Sequence, residues 1–247
     1  NRAWASGVAS NPSRLYYSVL EDAQDWAGAG SGSIDISPDD GDIITGLWPE
    51  HKDRLWVFKG PNNGSIHMIT GSAPTGSDAF ARLPFVRGIG SVNHNGIRAW
   101  GDDLAFASHL GLHSLAATDA FGDFNEAFLS FPFGSYYKDS LAHGRLKFTW
   151  AANYRGRGLL CWPFTRAGQT QNDIILAMDY RFRPFRWSYW FVPNAASLAL
   201  VSQSSVPELW AGDYSGFAVR LNQVDRTFAG TAYNGRVTLP FLNFGSS

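Results

Sequence analysis

The sequence predicts an all-β protein in which about five small antiparallel sheets of three or four strands are arranged as a β-propeller. Three observations lead to this fold class. Of the 247 residues, 45% are hydrophobic and 15% are aromatic, and 26 glycines and 12 prolines accompany them, a composition typical of short strands joined by tight turns. Helical periodicity is scarce. Strand-like runs of similar design recur every 40 to 55 residues.

Five runs carry this repeat, at residues 14–18, 54–58, 103–107, 158–162 and 208–212. Each run places a leucine directly after a polar residue or a glycine. These leucines are Leu15, Leu55, Leu104, Leu159 and Leu209, at intervals of 40, 49, 55 and 50 residues. The spacing predicts one propeller blade for each run.

Further strands are predicted around the last four runs. Candidates precede them at residues 43–47, 92–100, 146–154 and 196–202, and others follow at 65–70, 112–116, 173–179 and 217–221, each after a turn. Fourth strands are predicted at 81–86 and 186–192. A single sheet of this kind leaves an apolar face exposed, whereas sheets stacked around an axis bury both faces. A β-sandwich, or a pair of small β domains, is the alternative fold.

The whole chain, residues 1–247, is predicted to form a single propeller domain. Because it begins at Asn1 and not at a methionine, we expect it to be part of a longer chain. No run approaches the roughly 20 apolar residues that cross a bilayer, so no membrane contact is expected. The single cysteine, Cys161, lies in an apolar run and is expected in the core.

Charge is distributed unevenly, although the net charge is only −1. Residues 1–53 hold three basic and nine acidic side chains, a balance of −6, and residues 138–186 hold nine basic and three acidic ones, a balance of +6. Such segregation can direct how copies of a protein dock, although simple solvation of the two segments explains it equally well. The interface candidates are Asp39, Asp40, Asp42, Arg155, Arg157, Arg181, Arg183 and Arg186.

The run at residues 181–187, RFRPFRW, interleaves arginine with aromatic residues. Such a run could stack on bases or follow phosphates. The turn that Pro184 predicts favours a connection between strands, with its arginines facing solvent or a neighbouring subunit.

Two other clusters could bind a metal ion. Asp39, Asp40 and Asp42 offer oxygens of the type that calcium prefers, but their spacing is not that of an EF-hand. A turn whose side chains cap backbone amides is the favoured interpretation. His109 and His113 are four residues apart, but Gly111 between them indicates a turn and no third ligand is evident, so structural roles are favoured.

Signals for catalysis are weak. A glycosidase needs two carboxylates about 5 to 10 Å apart. None of the four glutamates, Glu21, Glu50, Glu126 and Glu208, has a persuasive position on an inner strand. Nucleophile-elbow, dinucleotide-binding and P-loop motifs are missing. The sequence therefore predicts no catalytic residue, no metal ligand and no cofactor.

One stretch is similar to a known family. Residues 37–59, SPDDGDIITGLWPEHKDRLWVFK, resemble a stretch of the β-propeller proteins of phage tails and necks, namely tail hub, nozzle and packaged-DNA stabilisation proteins. Residues 14–26, 88–91, 103–108 and 111–115 also resemble them, so the similarity covers residues 13–116. The long loop at 165–172 departs from the pattern.

This resemblance implies a structural virion protein without a catalytic site. Copies would form a ring around the DNA channel, in contact with neighbouring tail or neck proteins and, in passing, with genomic DNA. The alternative function is that of a carbohydrate-binding or carbohydrate-cleaving propeller. Two carboxylates in an axial pocket would favour the enzyme, whereas an aromatic pocket without them would favour a lectin or receptor-binding role.

Overall fold

The computed structural model describes residues 1–121, 128–192, 194–202, 207–221, 227–228 and 231–232. These residues form five successive antiparallel sheets of three or four strands and one two-stranded hairpin. The prediction of an all-β chain built from small antiparallel sheets is therefore confirmed.

The strands of each sheet are hydrogen-bonded in chain order. Sheet 1 contains β1 (Trp4–Ala5), β2 (Arg14–Tyr17) and β3 (Gly32–Asp35). Sheet 2 contains β4 (Ile43–His51), β5 (Arg54–Gly60), β6 (Ser65–Thr70) and β7 (Ala81–Arg87). Sheet 3 contains β8 (Ile97–Trp100), β9 (Asp103–Ala107) and β10 (Leu112–Ser114). Sheet 4 contains β11 (Ala152–Tyr154), β12 (Leu159–Phe164), β13 (Ile174–Asp179) and β14 (Arg186–Phe191). Sheet 5 contains β15 (Ala195–Val201), β16 (Glu208–Asp213) and β17 (Ala218–Arg220), and the hairpin pairs β18 (Thr227–Phe228) with β19 (Thr231–Ala232). Two short helices, α1 (Leu115–Phe121) and α2 (Gly134–Ser140), lie between β10 and β11 in the chain.

Two predicted strands are wrong in their first halves. The 3₁₀ turns His94–Gly96 and His143–Phe148 stand where strands were expected to begin at residues 92 and 146. The Asn93 side chain explains both turns, because its oxygen accepts from the Gly96 amide while its nitrogen donates to the Lys147 and Thr149 carbonyls at 2.6 and 2.8 Å. One side chain thus holds the two connections together at the start of β8 and β11.

The core consists of four hydrophobic clusters, each lying between two consecutive sheets. Members from the two sheets of each cluster include Leu15 and Val57, Phe58 and Leu104, Ala107 and Trp162, and Cys161 and Leu209. In β12, Trp162 belongs to the cluster with sheet 3 and Cys161 to the cluster with sheet 5, because alternate residues of a strand point to opposite faces. Sheets 2, 3 and 4 are therefore buried on both faces. A β-sandwich buries one face of each sheet, so this stack does not fit that alternative.

Strand direction defines two ends of the stack. The Thr45 hydroxyl of β4 donates to the Ser91 carbonyl, shortly before β8, at 2.6 Å. The Ala151 amide, just before β11, donates to the Asn95 carbonyl at 2.7 Å. The first strands of sheets 2, 3 and 4 therefore begin side by side and run in the same direction. We call the end where β4, β8 and β11 begin the upper end, and the end where they finish the lower end.

Sheet 1 differs from the others in direction. The start of β2 lies at the upper end, since the Ser13 hydroxyl accepts from Lys59, near the upper end of β5. The last residue of β2, Tyr17, lies at the lower end of the stack. There the centre of its ring is 5.0 Å from the centre of the Phe80 ring, which belongs to the loop between β6 and β7. Thus β2 runs opposite to β5, and the similarity of residues 14–18 to the other four runs does not extend to strand direction.

Candidate functional site

All five arginines among the interface candidates meet at the lower end of sheet 4. Arg155 and Arg157 lie in the 3₁₀ turn between β11 and β12. Arg181 and Arg183 lie in the turn between β13 and β14, and Arg186 begins β14. Because β11 and β13 run in the same direction, the two turns lie together. The Tyr180 amide accordingly donates to the Gly158 carbonyl at 3.0 Å. We call these five side chains the arginine end.

One of the five arginines is neutralised. Arg181 forms a two-pronged pair with Asp179, with Nη2 2.7 Å from Oδ2 and Nε 2.9 Å from Oδ1. Hydrogen bonding from Arg181 holds the pKa of the Asp179 carboxyl below its usual range. In the part of the chain that the structure describes, none of the other four forms an ion pair. Residues 155–158 and 179–186 hold five arginines and one aspartate, which leaves a local charge of +4.

Aromatic rings hold two of the remaining guanidinium groups. The Arg186 guanidinium lies 3.8 Å from the ring centre of Phe182. Arg183 lies 3.9 Å from the ring centre of Phe185 and 5.8 Å from that of Trp100. Stacking on a ring fixes the plane of a guanidinium and leaves its N–H groups free to bind an anion. Both arginines are exposed, so the RFRPFRW run forms a turn with its cations at the surface.

A cleft of about 530 Å³ opens beside Arg183. Its walls include the rings of Phe128, Phe131, Phe185 and Trp187, and Arg183 is the one charged residue among the described side chains that line it. Phe131 is 65% exposed. The cleft therefore offers apolar rings with a cation at the rim, which suits an apolar group with a carboxylate nearby.

The acidic candidates have a different environment. The Lys59 side chain is completely buried between sheets 1 and 2. Its ammonium donates to the Asp40 carboxylate and to the Ser37 carbonyl at 2.7 Å each, and to the Ile36 carbonyl at 2.8 Å and the Ser13 hydroxyl at 3.1 Å. We call these five residues the Lys59 junction. Asp40 is thus used within the chain to neutralise a buried cation.

Asp42 holds the turn between β5 and β6. Its carboxylate is buried and accepts from the backbone amides of Asn62 at 2.7 Å, Asn63 at 3.0 Å and Gly64 at 2.7 Å. The interpretation of the acidic cluster as an amide-capping turn is confirmed. No group of three or more potential metal ligands occurs among the residues described. Asp39 alone remains exposed, at a φ of 66°.

One serine–histidine pair lies in sheet 2 and another in sheet 3, a feature that sequence reasoning missed. The Ser65 hydroxyl lies 3.0 Å from His67 Nε2, and the Ser108 hydroxyl 2.7 Å from His113 Nε2. Burial lowers the pKa of His67 to about 4 and that of His113 to about 3. Both Nδ1 atoms are buried without a hydrogen-bond partner, so no carboxylate orients these rings as in a nucleophilic triad. The structural interpretation of His113 is confirmed.

The described glutamates do not form a carboxylate pair. Glu208 forms an ion pair with Arg220, and Glu21 is exposed in the loop after β2. The side chain of Glu50, and Glu126 as a whole, lie outside the described residues. Cys161 is completely buried, and burial raises the pKa of its thiol, as expected for a core residue.

Comparison with known proteins adds no family. No protein-family model matches the chain, and no curated protein is significantly similar to it. Among the helices described, none has the length and apolar character needed to cross a membrane. The arginine end and its cleft are therefore interpreted from their own geometry.

Proposed function

We propose that the chain is a structural, non-catalytic subunit of a phage tail or neck, with one β-propeller domain of at least five blades. Copies pack side by side into a ring around the DNA channel of the virion. Neighbouring tail or neck proteins cover the ring, and the genome touches it in passing. Of the interface candidates, the five arginines act in this packing, whereas Asp40 and Asp42 act within the chain.

The order of the sheets supports the propeller. Each sheet packs against the next one in the chain, and the middle sheets are covered on both faces. The first strands β8 and β11 lie side by side, with the side-chain Nδ2 of Asn153 donating to the Ala99 carbonyl at 2.8 Å. The last strands β7, β14 and β17 are largely exposed. First strands that converge and last strands that face solvent are the arrangement of blades around an axis.

The arginine end is the observation that carries the assembly role. Four exposed guanidinium groups meet no carboxylate partner in the described part of the chain, and one of them, that of Arg183, lines an apolar cleft. Interfaces between subunits are enriched in arginine and aromatic residues. A surface of this kind is better suited to binding a complementary protein face than to chemistry.

The resemblance supports the virion assignment. Residues 37–59 include both residues of the Asp40–Lys59 ion pair. They also include Asp42, which orders the next turn. The residues that resemble phage propeller proteins are therefore those that join one sheet to the next, as expected when a family shares a scaffold.

Native mass spectrometry and negative-stain electron microscopy of the purified chain test this proposal. We expect ring-shaped homo-oligomers that accumulate with protein concentration and dissociate between 50 and 500 mM NaCl, because exposed charges are screened within about 8 Å at physiological ionic strength. A chain that remains monomeric across the accessible concentrations at low salt would contradict the proposal.

The aromatic cleft favours one second candidate, a carbohydrate-binding role. Rings such as Trp187 and Phe131 can stack on sugars, although Arg183 is the single charged group that the described lining offers for hydrogen bonding. Isothermal titration with oligosaccharides, against the Trp187→Ala variant as control, decides between the roles. Saturable binding by a monomer that the variant loses would favour the lectin.

A further inference from the structure

We infer that the loop at residues 20–26 of one copy docks on the arginine end and cleft of the next copy. This inference rests on the proposed ring assembly and names the two surfaces that would meet. We call residues 20–26 the acidic loop. It connects β2 to β3 and lies at the lower end of sheet 1.

The acidic loop carries charge of the opposite sign to the arginine end, together with exposed apolar side chains. It carries Glu21, Asp22 and Asp25 and no basic residue, a charge of −3. Its two large apolar side chains are exposed, Leu20 by 54% and Trp26 by 41%. The loop thus combines carboxylates with apolar groups, and the arginine end combines a charge of +4 with an apolar cleft. Opposite charge around a central aromatic anchor is typical of specific interfaces.

The acidic loop is already ordered for docking. Asp22 accepts from the Gln24 amide at 3.0 Å, and Asp25 from the Gly28 amide at 2.7 Å. The Val19 amide donates to the Asp25 carbonyl at 2.9 Å. A preformed loop loses little conformational entropy on binding. Within the described part of the chain no ion pair holds the exposed Glu21 carboxylate, which can therefore meet a partner.

The position of the two surfaces suits a ring. In a head-to-tail ring whose axis runs along the strands, contacting surfaces at equal heights allow closure, whereas surfaces at opposite ends stack copies into a column. The acidic loop and the arginine end both lie at the lower end of the sheets. They belong to sheets 1 and 4, which sheets 2 and 3 separate, so one copy can donate its loop to one neighbour while it receives a loop from the other.

Charge reversal with rescue tests the inference. We expect Glu21→Arg, Arg183→Glu and Arg157→Glu each to weaken self-association at least tenfold in sedimentation velocity at 50 mM NaCl. The double variant Glu21→Arg/Arg183→Glu should regain association to within about threefold of wild type, because the two charges are exchanged. All these side chains are exposed, so we expect the variants to fold, which their circular dichroism spectra are to verify before association is compared.

Arg87→Glu and Asp139→Arg are the matched controls. Both side chains are exposed and lie outside the two proposed surfaces, so association should stay within twofold of wild type. Rings that form equally well in the Glu21 and Arg183 variants would overturn this inference and leave the proposed function intact. Loss of association in both single variants without rescue in the double variant would overturn the pairing of these surfaces. A monomeric wild-type chain would overturn the proposed function and the inference together.

Discussion

The Lys59 junction and the arginine end both contain charged residues that the sequence singles out as interface candidates, and the fold uses them in opposite ways. In the junction the completely buried Lys59 ammonium donates to four oxygen atoms. One belongs to Ser13, just before β2, and three belong to the segment that follows β3. At the arginine end four guanidinium groups meet no carboxylate in the described part of the chain and stay exposed. A charge count therefore locates charge but does not tell whether a neighbouring sheet neutralises it.

This difference has an energetic consequence. A buried charge that loses its partner keeps the cost of leaving water, whereas an exposed charge regains its hydration. Substitutions in the junction should therefore lower stability, and substitutions at the arginine end should leave stability nearly unchanged while they alter association. Of the following three predictions, the first and the last test this contrast, and the second concerns the histidines buried inside the stack.

The largest effect is expected for Asp40→Asn. The variant leaves the Lys59 ammonium buried with neutral acceptors only, because Asp40 is its single carboxylate partner. We expect the free energy of unfolding, from urea denaturation, to fall by about 2 kcal/mol, less than for a fully buried pair because water reaches Asp40. Asp39→Asn is the matched control, since Asp39 is exposed and asparagine tolerates its positive φ, and a change of about 0.5 kcal/mol or less is expected. Equal stabilities of the two variants would show that the buried pair contributes little.

The next effect concerns pH and arises from the histidines inside the stack. His67 and His113 have pKa values of about 4 and about 3 in the folded chain, against 6.5 as the ordinary value, because burial disfavours their charged forms. As the pH falls below 6.5, the unfolded chain binds these protons first. The free energy of unfolding should therefore decrease by up to about 1.4 kcal/mol per pH unit for each histidine, and this contribution should vanish above about pH 8, where the unfolded chain no longer binds these protons.

Urea denaturation between pH 4 and pH 7 measures this slope. His113→Gln should reduce the slope, because one of the two groups can no longer take up a proton in the unfolded chain. His143→Gln is the control, since His143 is exposed and its ring donates to the Lys138 carbonyl. A His113 variant with the wild-type slope would show that the buried ring does not resist protonation.

Local sequence patterns predicted the sheets well. They did not predict which neighbouring sheet each side chain of a strand packs against. The five runs were aligned on the leucine that follows a polar residue or a glycine. This alignment selects equivalent positions at Leu55, Leu104 and Leu209, which all pack toward the preceding sheet. In β12 it selects Leu159, which packs toward sheet 5, whereas Leu160 packs toward sheet 3. Because side chains alternate along a strand, a shift of one residue exchanges the two faces. In a strand that is apolar on both faces, sequence gives no signal for this choice.

The site was predictable only in part. The arginines at 155–157 and 181–186 could be identified from sequence, because two turns that follow parallel strands of one meander must lie at the same end. The role of Asp40 could not be identified from sequence. It depends on the side chain of Lys59, which is 19 residues away in the chain and points toward sheet 1. The Ser108–His113 pair could not be identified for the same reason, since it forms only through a hairpin register, whereas Ser65 and His67 lie two residues apart on one face of a predicted strand and could have been paired from sequence.

The smallest effect on stability is expected for Arg181→Ala. Arg181 is 56% exposed, and its pair with Asp179 lies at the surface, where water and salt compete with it. We expect the urea midpoint of unfolding to match that of wild type within measurement error, at both 50 and 500 mM NaCl. Arg157→Ala, which removes an exposed arginine without an ion pair, is the control and should behave in the same way. A clear loss of stability in Arg181→Ala alone would mean that the Asp179 pair holds the turn between β13 and β14, so that the arginine end would share the structural role of the Lys59 junction.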